Sequence, residues 1–237
     1  MTDALYLNDS YLKEFDATIE SVTDGKYVVL DRTAFYPKGG GQDCDTGEII
    51  KDGKEYEVVF VGKFDGKISH EVKNAAELKE GDKVKGLIDW ERRHKLMRCH
   101  TAEHVLSAIV EKDHHALVTG NELTVEKCRS DYNLETFDRE KIDECFRKAN
   151  EAIQKDFPIE VYFIPMEEAV KDGNLFKLET GFKHTALKEV RIVDIKGLVR
   201  EADGGTHVRS LKEVGKIELL KCENRGKGRK RVYFTVK

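Results

Sequence analysis

The sequence lacks several features that would assign it to a common class. Its five cysteines are odd in number and never spaced as Cys-x-x-Cys, which argues against a disulfide framework and a cysteine zinc knuckle. No apolar run approaches the ~18 residues of a membrane-spanning helix, and no signal-peptide pattern is present. We therefore expect free thiols and a soluble, cytoplasmic protein without a membrane partner.

The chain also lacks an overall positive charge. Its formal net charge of −4 gives no general reason to expect a nucleic-acid partner. The charge is uneven, however, because residues 221–237 carry seven Lys or Arg against one Glu. Such a run is most often a solvated charged face. Glycines interrupt this one, which favours a flexible loop suited to contacts with phosphate groups.

Two regions follow one another along the chain. Residues 1–90 contain short runs of β-forming residues, and Asp24-Gly25, Asp52-Gly53 and Asp65-Gly66 between them predict hairpins. Five or six strands at this spacing predict a small β-barrel. Residues 91–237 mix helical and strand patterns, with a helix over 138–155 and a terminal hairpin over 215–236. The predicted fold class is α+β, with a domain boundary after residue 90.

A histidine pair lies near the middle of the first predicted helix. His100 and His104 are four positions apart, so both imidazoles lie on one helical face and can bind a single metal ion. Far downstream, Asp203 and His207 flank a glycine turn and could complete a four-ligand shell. In H-E-x-x-H metalloproteases a glutamate directly follows the first histidine, whereas Thr101 holds that place here, so a protease of that class is disfavoured.

Three adjacent glycines, Gly39, Gly40 and Gly41, mark a second unusual segment. Glycines lose much conformational entropy on folding, so they are expected where the chain bends sharply or approaches another group closely. The segment is neither a P-loop nor a dinucleotide fingerprint. A wide barrel turn is one interpretation. Thr33 and Gln42 favour a binding site instead, because each places a hydrogen-bonding group near this backbone.

These segments carry a family resemblance. FYPKGGGQDCDTG over 35–47, HTAEH over 100–104 and DGGTH over 203–207 resemble, in the same order, the three signatures of alanyl-tRNA editing domains. The segments over 120–134 and 226–234 are also similar to that family, so the resemblance covers essentially the whole chain. Because no aminoacylation domain precedes these signatures, the chain is most similar to the freestanding AlaX-type editing proteins.

The resemblance implies an N-terminal barrel and a C-terminal zinc-binding editing domain. It implies a trans-editing hydrolase that deacylates mischarged Ser-tRNA(Ala), with Gly-tRNA(Ala) as a further substrate, and one zinc ion per monomeric chain. His100, His104 and His207 match the family's ligand positions. Asp203 stands where the family has cysteine. We expect Asp203 to be the fourth ligand, the alternative being a turn aspartate outside the metal shell.

The resemblance also implies the remaining roles. His100, His104 and Gln42 are the expected catalytic residues, and Thr33 is the expected contact that distinguishes serine from alanine. Contacts with the aminoacyl group are expected from the glycine-rich segment, at Thr33, Gly39, Gly40, Gly41 and Gln42. Contacts with tRNA are expected from two basic groups of residues. These are Arg225, Lys227, Arg229, Lys230 and Arg231 in the terminal hairpin, and Arg92, Arg93, Lys95 and Arg98 beside the histidine pair.

Some alternatives stay open at this point. Three ligands would leave a coordination position for water, whereas four would close the shell and leave the metal to position the substrate. The chain could also be a tRNA-binding module that lost catalysis with its cysteine, or a zinc hydrolase of another ester. His94, His114 and His115 match no ligand position and are expected to be solvated.

Overall fold

The computed structural model describes residues 2–136, 138–176 and 188–237. The chain divides into two compact units, Met1–His94 and Lys95–Lys237. Helices and strands are mixed along the chain, and the described residues include three α-helices. None of the described helices is long and apolar enough to cross a membrane.

The first unit contains a closed barrel of six antiparallel strands, which confirms the predicted N-terminal barrel. The strands follow one another around the barrel in the order β2-β3-β7-β6-β5-β8. A short parallel pair, β1 with β4, lies outside the barrel. The strands of this unit are β1 Asp3–Ala4, β2 Glu14–Thr23, β3 Tyr27–Leu30, β4 Arg32–Thr33, β5 Gly47–Lys51, β6 Lys54–Phe64, β7 Lys67–Val72 and β8 Lys83–Ile88.

The three Asp-Gly pairs form the predicted tight turns. Asp24, Asp52 and Asp65 have φ angles of 54°, 50° and 48°, and the glycine after each also has a positive φ. Two successive left-handed residues are typical of type I′ turns, whose twist matches that of the flanking strands. These turns join β2 to β3, β5 to β6 and β6 to β7, and they set the register of half the barrel.

The barrel interior follows the two-residue period of its strands. Along Glu14–Thr23 the side chains alternate between exposed and buried in the first half of the strand, and the inward ones contribute to the core. The core also includes Val28, Leu30, Ile49, Val58, Val61 and Ile68. Burial of these apolar side chains is the main favourable contribution to the stability of this unit.

The histidine-bearing helix is α1, Trp90–His114. Its first turn is capped by Asp89, whose carboxylate accepts a hydrogen bond from the Arg92 amide at 3.1 Å. The sequence predicts an apolar stripe on one face, and its members, such as Leu96 and Leu106, are indeed buried. Every residue over 99–106 is buried, however, including Thr101 and Glu103. The helix is therefore enclosed on all sides at the level of the histidine pair.

Among its described residues, the second unit contains two antiparallel sheets. The four-stranded sheet has the order β14-β15-β10-β9, and the three-stranded sheet has the order β11-β12-β13. The terminal hairpin matches the sequence prediction, whereas β9, β10 and β13 were not predicted. The strands are β9 Val118–Leu123, β10 Cys128–Tyr132, β11 Ile159–Pro165, β12 Glu189–Ile195, β13 Val199–Ala202, β14 Ile217–Asn224 and β15 Lys230–Val236.

Two further helices belong to this unit. Helix α2, Arg139–Gln154, begins after Asp138, whose side chain accepts hydrogen bonds from the amides of Glu140 and Lys141. This is the cap that the sequence predicts. Helix α3, Met166–Lys171, is only six residues long. The 3-10 helices of the chain are Leu5–Leu7, Ala75–Glu77, Gly173–Leu175 and Leu211–Val214.

Candidate metal centre

Four side chains of the second unit meet at one point. His100 and His104 lie one turn apart on α1, and Asp203 and His207 lie on the glycine turn that follows β13. One potential ligand atom of each residue lies within 4.8 Å of all the others. The structure thus brings together all four residues that the sequence nominates as metal ligands, and the cluster could hold a metal ion.

The three imidazoles present the same ring nitrogen to the carboxylate of Asp203. Nε2 of His207 lies 3.0 Å from Oδ2, Nε2 of His100 lies 3.6 Å from Oδ1, and Nε2 of His104 lies 4.0 Å from Oδ1. The histidines are nearly inaccessible, with 2–5% of each residue exposed, and the Asp203 side chain is 18% exposed. Three imidazole nitrogens and one carboxylate facing a common point form a donor set typical of zinc.

Burial controls the protonation of the cluster. It lowers the pKa of His207 to about 4 and the pKa of His100 well below its usual value. Burial alone would raise the pKa of Asp203, but the neighbouring His100 and the hydrogen bond from His207 hold it well below its usual range. His104 is the exception, because the charges of Glu201, Asp203 and Glu103 outweigh burial and raise its pKa. The shifts of His100, His207 and Asp203 favour neutral imidazoles and an ionised carboxylate, the states in which these groups bind metals.

Several neighbours hold the ligands in place. Oγ1 of Thr101 lies 3.1 Å from Nδ1 of His207, and the guanidinium of Arg191 donates to the main-chain carbonyl of Asp203 at 2.8 Å. Gly205 leaves room for the ring of His100, because a Cβ atom at this position would lie 2.1 Å from Cε1 of that ring. Glycine at position 205 is therefore required for the cluster to form.

Among the residues of the second unit that the structure describes, His114 and His115 are not part of this cluster. His115 is exposed and His114 is half-buried. In the first unit, His94 stacks on the ring of Trp90 with a centroid separation of 5.4 Å. Among the described residues, the candidate metal centre contains only the four side chains above.

The glycine-rich segment of the first unit forms a narrow turn. Gly39 and Gln42 exchange two main-chain hydrogen bonds, of 3.1 and 2.9 Å, across Gly40 and Gly41. Both intervening glycines have positive φ angles, of 56° and 82°, which other residues rarely adopt. Gly39 and Gly40 are exposed, whereas the side chain of Gln42 is buried. The turn thus offers main-chain groups to solvent at its tip.

Thr33 lies in β4 and is completely buried. Its hydroxyl accepts a hydrogen bond from the amide of Phe35 at 3.1 Å and lies 2.9 Å from Nε2 of His70. His70 is also fully buried, and burial lowers its pKa to about 4. The sequence did not single out His70, because a histidine in a strand of alternating buried and exposed residues does not reveal which residue it bonds.

The structure corrects the expectation for the basic residues at the start of α1. Arg93 is fully buried and forms a salt bridge with the equally buried Asp45, so it cannot contact tRNA. The other three are half-buried and bonded within their own unit. Arg92 bonds the carboxylate of Asp43 at 2.6 Å, and Lys95 and Arg98 donate to the carbonyl oxygens of Val236 and Val214.

The terminal hairpin needs a similar correction. Arg225, Lys227 and Arg229 are exposed, as expected for residues that contact phosphates. Lys230 is only 2% exposed and donates to the carbonyl of Gly226 at 2.7 Å, so the expectation of an outward-facing charge is wrong for this residue. Arg231 lies half-buried and makes two hydrogen bonds, of 2.6 and 2.8 Å, to the carboxylate of Asp131.

Comparisons with known proteins find similarity to tRNA synthetases in the barrel segment and around part of the metal cluster. A family model described as "tRNA synthetases class II (A)" matches residues 5–92. A second, described as "Threonyl and Alanyl tRNA synthetase second additional domain", matches residues 190–233. The second match contains two of the four clustered residues, Asp203 and His207. Two segments of the chain are therefore similar to domains of tRNA synthetases.

Relatives that match this chain over its full length identify its family. The Alanyl-tRNA editing protein AlaX-M of Methanosarcina acetivorans is 49% identical over 100% of this chain and 99% of its own length. The AlaX-M protein of Saccharolobus solfataricus is 44% identical over the whole of both chains. The Alanine–tRNA ligase of Methanococcus maripaludis is 36% identical over 99% of this chain, which spans 26% of the ligase. The chain belongs to the AlaX-M family of alanyl-tRNA editing proteins, which are hydrolases that deacylate mischarged tRNA.

Proposed function

We propose that this protein hydrolyses Ser-tRNA(Ala) and that the metal it uses is zinc. The observation that most directly supports the use of a metal is the convergence of three Nε2 atoms on the carboxylate of Asp203. His100, His104, His207 and Asp203 would hold the ion. When bound, zinc can polarise the ester that joins the amino acid to the tRNA, or lower the pKa of a water molecule toward ~7.

The donor set suits zinc better than the hard cations. Imidazole nitrogens favour zinc and its transition-metal neighbours, whereas Mg²⁺ and Ca²⁺ require oxygen ligands. Asp203 carries the same single negative charge as the thiolate of the family's cysteine, so the charge of the shell is conserved. A carboxylate is a harder ligand than a thiolate, however, and selects less strongly for zinc over other divalent ions.

We propose that the two regions have separate tasks, with residues 91–237 as the zinc-binding editing domain and residues 1–90 as the barrel that contributes substrate contacts. In the barrel, the glycine turn exposes main-chain groups that a substrate can approach closely. Gly39, Gly40, Gly41 and Gln42 would contact the aminoacyl group. Gln42, with His100 and His104, would also contribute to the reaction.

Thr33 is the proposed contact for the serine hydroxyl. A site that hydrogen-bonds a hydroxyl discriminates against the analogue that lacks it by ~10⁴ or more, because the polar group is then left unpaired. The Thr33 hydroxyl is already hydrogen-bonded to His70 and to the Phe35 amide. A serine hydroxyl would therefore have to donate to the remaining lone pair of the Thr33 oxygen. Since Thr33 has no exposed surface, the groups that cover it must move when substrate binds.

The exposed cations of the terminal hairpin are the proposed tRNA contacts. Arg225, Lys227 and Arg229 lie in or next to the turn between β14 and β15, and all three side chains face solvent. Arg231 lies half-buried beside them. Contacts of this kind fix the position of a nucleic acid through its phosphates without reading its sequence.

The test is a deacylation assay with Ser-tRNA(Ala), Gly-tRNA(Ala) and Ala-tRNA(Ala) as separate substrates. We expect the zinc-loaded protein to release serine, to leave alanine attached, and to act on glycine at a rate that the assay will measure. His104→Ala should abolish both zinc binding and deacylation. Full activity of a metal-free preparation would contradict the use of zinc, and equal rates on Ser-tRNA(Ala) and Ala-tRNA(Ala) would contradict the proposed substrate.

A further inference from the structure

One ring nitrogen of the metal cluster is left without a hydrogen bond. Nδ1 of His104 is buried and has no hydrogen-bond partner within the ranges that the structure describes. A buried nitrogen in that state is unfavourable, so it calls for a physical explanation. The nearest carboxylate oxygen recorded for it is Oε2 of Glu201, at 3.5 Å.

The two nitrogens of His104 face different groups. Nε2 lies on the side of Asp203, where the other two imidazoles converge, whereas Nδ1 lies on the side of Glu201. Glu201 is not among the four residues whose ligand atoms all lie within 4.8 Å of one another. Glu201 is therefore placed to act on His104 itself rather than on the metal.

Glu201 is held in a suitable position by its strand. It lies in β13 opposite Val193 of the central strand β12, and its side chain is 17% exposed. Asp203 follows two residues later, so the same strand end carries a ligand and the carboxylate beside another ligand. Burial lowers the pKa of His104, but the charges of Glu201, Asp203 and Glu103 outweigh burial and raise it.

The two ring nitrogens of His207 face their neighbours in a comparable way. There Nε2 faces Asp203, and Nδ1 lies 3.1 Å from the hydroxyl of Thr101. Histidines that bind metals commonly donate their second N–H to a carboxylate, carbonyl or hydroxyl, which fixes the tautomer and the ring orientation. Thr101 meets this requirement for His207, and Glu201 is the corresponding group for His104.

We propose that Glu201 positions His104 for metal binding by accepting a hydrogen bond from its Nδ1–H, so that the Nε2 lone pair faces the ion. The separation of 3.5 Å between Nδ1 and Oε2 would have to shorten slightly for this hydrogen bond to form. Glu201 is thus a positioning residue and not a ligand. This inference rests on the proposed metal site, but it does not require any particular tRNA substrate.

The test measures zinc affinity by competition with a chromogenic chelator. Glu201→Leu removes the acceptor and should weaken zinc binding about 10–100-fold, as loss of such a partner commonly does. Glu201→Gln retains a neutral oxygen acceptor and should recover part of the affinity. Glu189→Gln is the matched control, because Glu189 is an exposed glutamate in the same sheet, and its affinity should equal that of the wild type.

Two further readouts separate positioning from a structural role. In the zinc-loaded wild type, ¹⁵N NMR should show the His104 ring protonated at Nδ1, and Glu201→Leu should weaken protection of that proton from exchange. The cobalt-substituted proteins should have the same ligand-field absorption spectrum, since Glu201 is not a ligand. A changed coordination number in Glu201→Leu would overturn the proposal.

The remaining outcomes are distinguishable. If the wild type binds no zinc, the proposed function fails at the metal site. If the wild type binds zinc and a folded Glu201→Leu binds it equally well, only the inference about Glu201 fails. If Glu201→Leu does not fold, as judged by circular dichroism, Glu201→Gln decides. Affinity and Nδ1 exchange identical to the wild type would then overturn the inference.

Discussion

The hydroxyl of Thr33 donates its hydrogen to Nε2 of His70 across a distance of 2.9 Å. The direction follows from the other side of the ring, where Nδ1 lies 2.9 Å from the carbonyl oxygen of Val28. A carbonyl can only accept, so Nδ1 carries the proton, and Nε2 of the neutral ring must accept. Two buried polar groups in the barrel therefore depend on one threonine hydroxyl.

Thr33→Val should lower both stability and selectivity. Valine leaves Nε2 of His70 and the amide of Phe35 without partners, so we expect the free energy of unfolding to fall by about 1–3 kcal/mol. The ratio of kcat/KM values for Ser-tRNA(Ala) and Ala-tRNA(Ala) should also fall. Thr33→Ser, which keeps the hydroxyl, is the control. An unchanged ratio in a folded Thr33→Val protein would show that Thr33 is not the discriminating contact.

The buried His70 should make the metal-free protein sensitive to acid. Unfolding exposes the ring and returns its pKa from about 4 to about 6.5, so the unfolded state binds more protons between these values. Stability is therefore fully present above about pH 6.5 and decreases as the pH falls toward 4, by up to about 3 kcal/mol from this residue.

Urea unfolding at several pH values measures this effect. His70→Gln should show a shallower loss of stability between pH 6.5 and 4 than the wild type. His115→Asn is the control, because His115 is exposed and its φ of 52° suits asparagine. Parallel pH profiles for the wild type and His70→Gln would contradict the role of His70.

Asp45→Ala should be among the most damaging single substitutions in the barrel unit. It leaves the Arg93 guanidinium buried without its carboxylate, which typically destabilises a protein by about 3–5 kcal/mol. Glu57→Ala, which removes an exposed salt bridge with Lys73, should change stability by less than about 1 kcal/mol. Urea denaturation compares the two. Similar losses of stability in the two variants would mean that the buried Arg93–Asp45 pair stabilises the unit no more than an exposed salt bridge does.

Asp203→Ala and Asp203→Cys test whether the carboxylate is a ligand. If it is, Asp203→Ala should bind zinc more weakly than the wild type, and Asp203→Cys more tightly, because a thiolate is the softer ligand. The wild type should also accept cobalt more readily than Asp203→Cys does. Chelator competition on the three proteins measures these affinities. Equal affinity for the wild type and Asp203→Ala would remove Asp203 from the ligand set.

Replacing Arg225, Lys227 and Arg229 with alanine should weaken tRNA binding and reduce its salt dependence. Three lost phosphate contacts correspond to a decrease of about 2–3 in the slope of log K against log salt. Lys63, Lys67 and Lys73, exposed on the barrel, form a matched control with the same loss of charge. Fluorescence anisotropy with uncharged tRNA provides the measurement. Equal slopes for the two triple variants would mean that the hairpin has no special role.

Local patterns were enough to predict much of the fold. The Asp-Gly turns and the alternation of the flanking strands predicted the barrel, and Asp138 predicted the start of α2. The metal cluster was also visible, because i, i+4 spacing and a glycine turn restrict where the ligands can point. These features depend on residues close together in the sequence.

The features that the sequence did not reveal depend on distant partners. Strand β10, Cys128–Tyr132, reads as a polar segment, yet Ser130 and Asp131 are buried. Asp131 is paired with Arg231, about a hundred residues away. In the sequence Arg93 cannot be distinguished from its half-buried neighbour Arg92, and only the fold shows that Asp45 lies against Arg93. No local period encodes such pairs.

The four clustered residues come from two places about a hundred positions apart in the chain, His100 and His104 on one side and Asp203 and His207 on the other. An ion held by both groups would tie the ends of that long loop together, as a cross-link does. Closing a loop of this length is entropically unfavourable, so an ion that binds only the closed chain stabilises the folded second unit. On a ribosome, the site could form only after residue 207 had been synthesised, so metal binding by this cluster is a late event in the folding of the second unit.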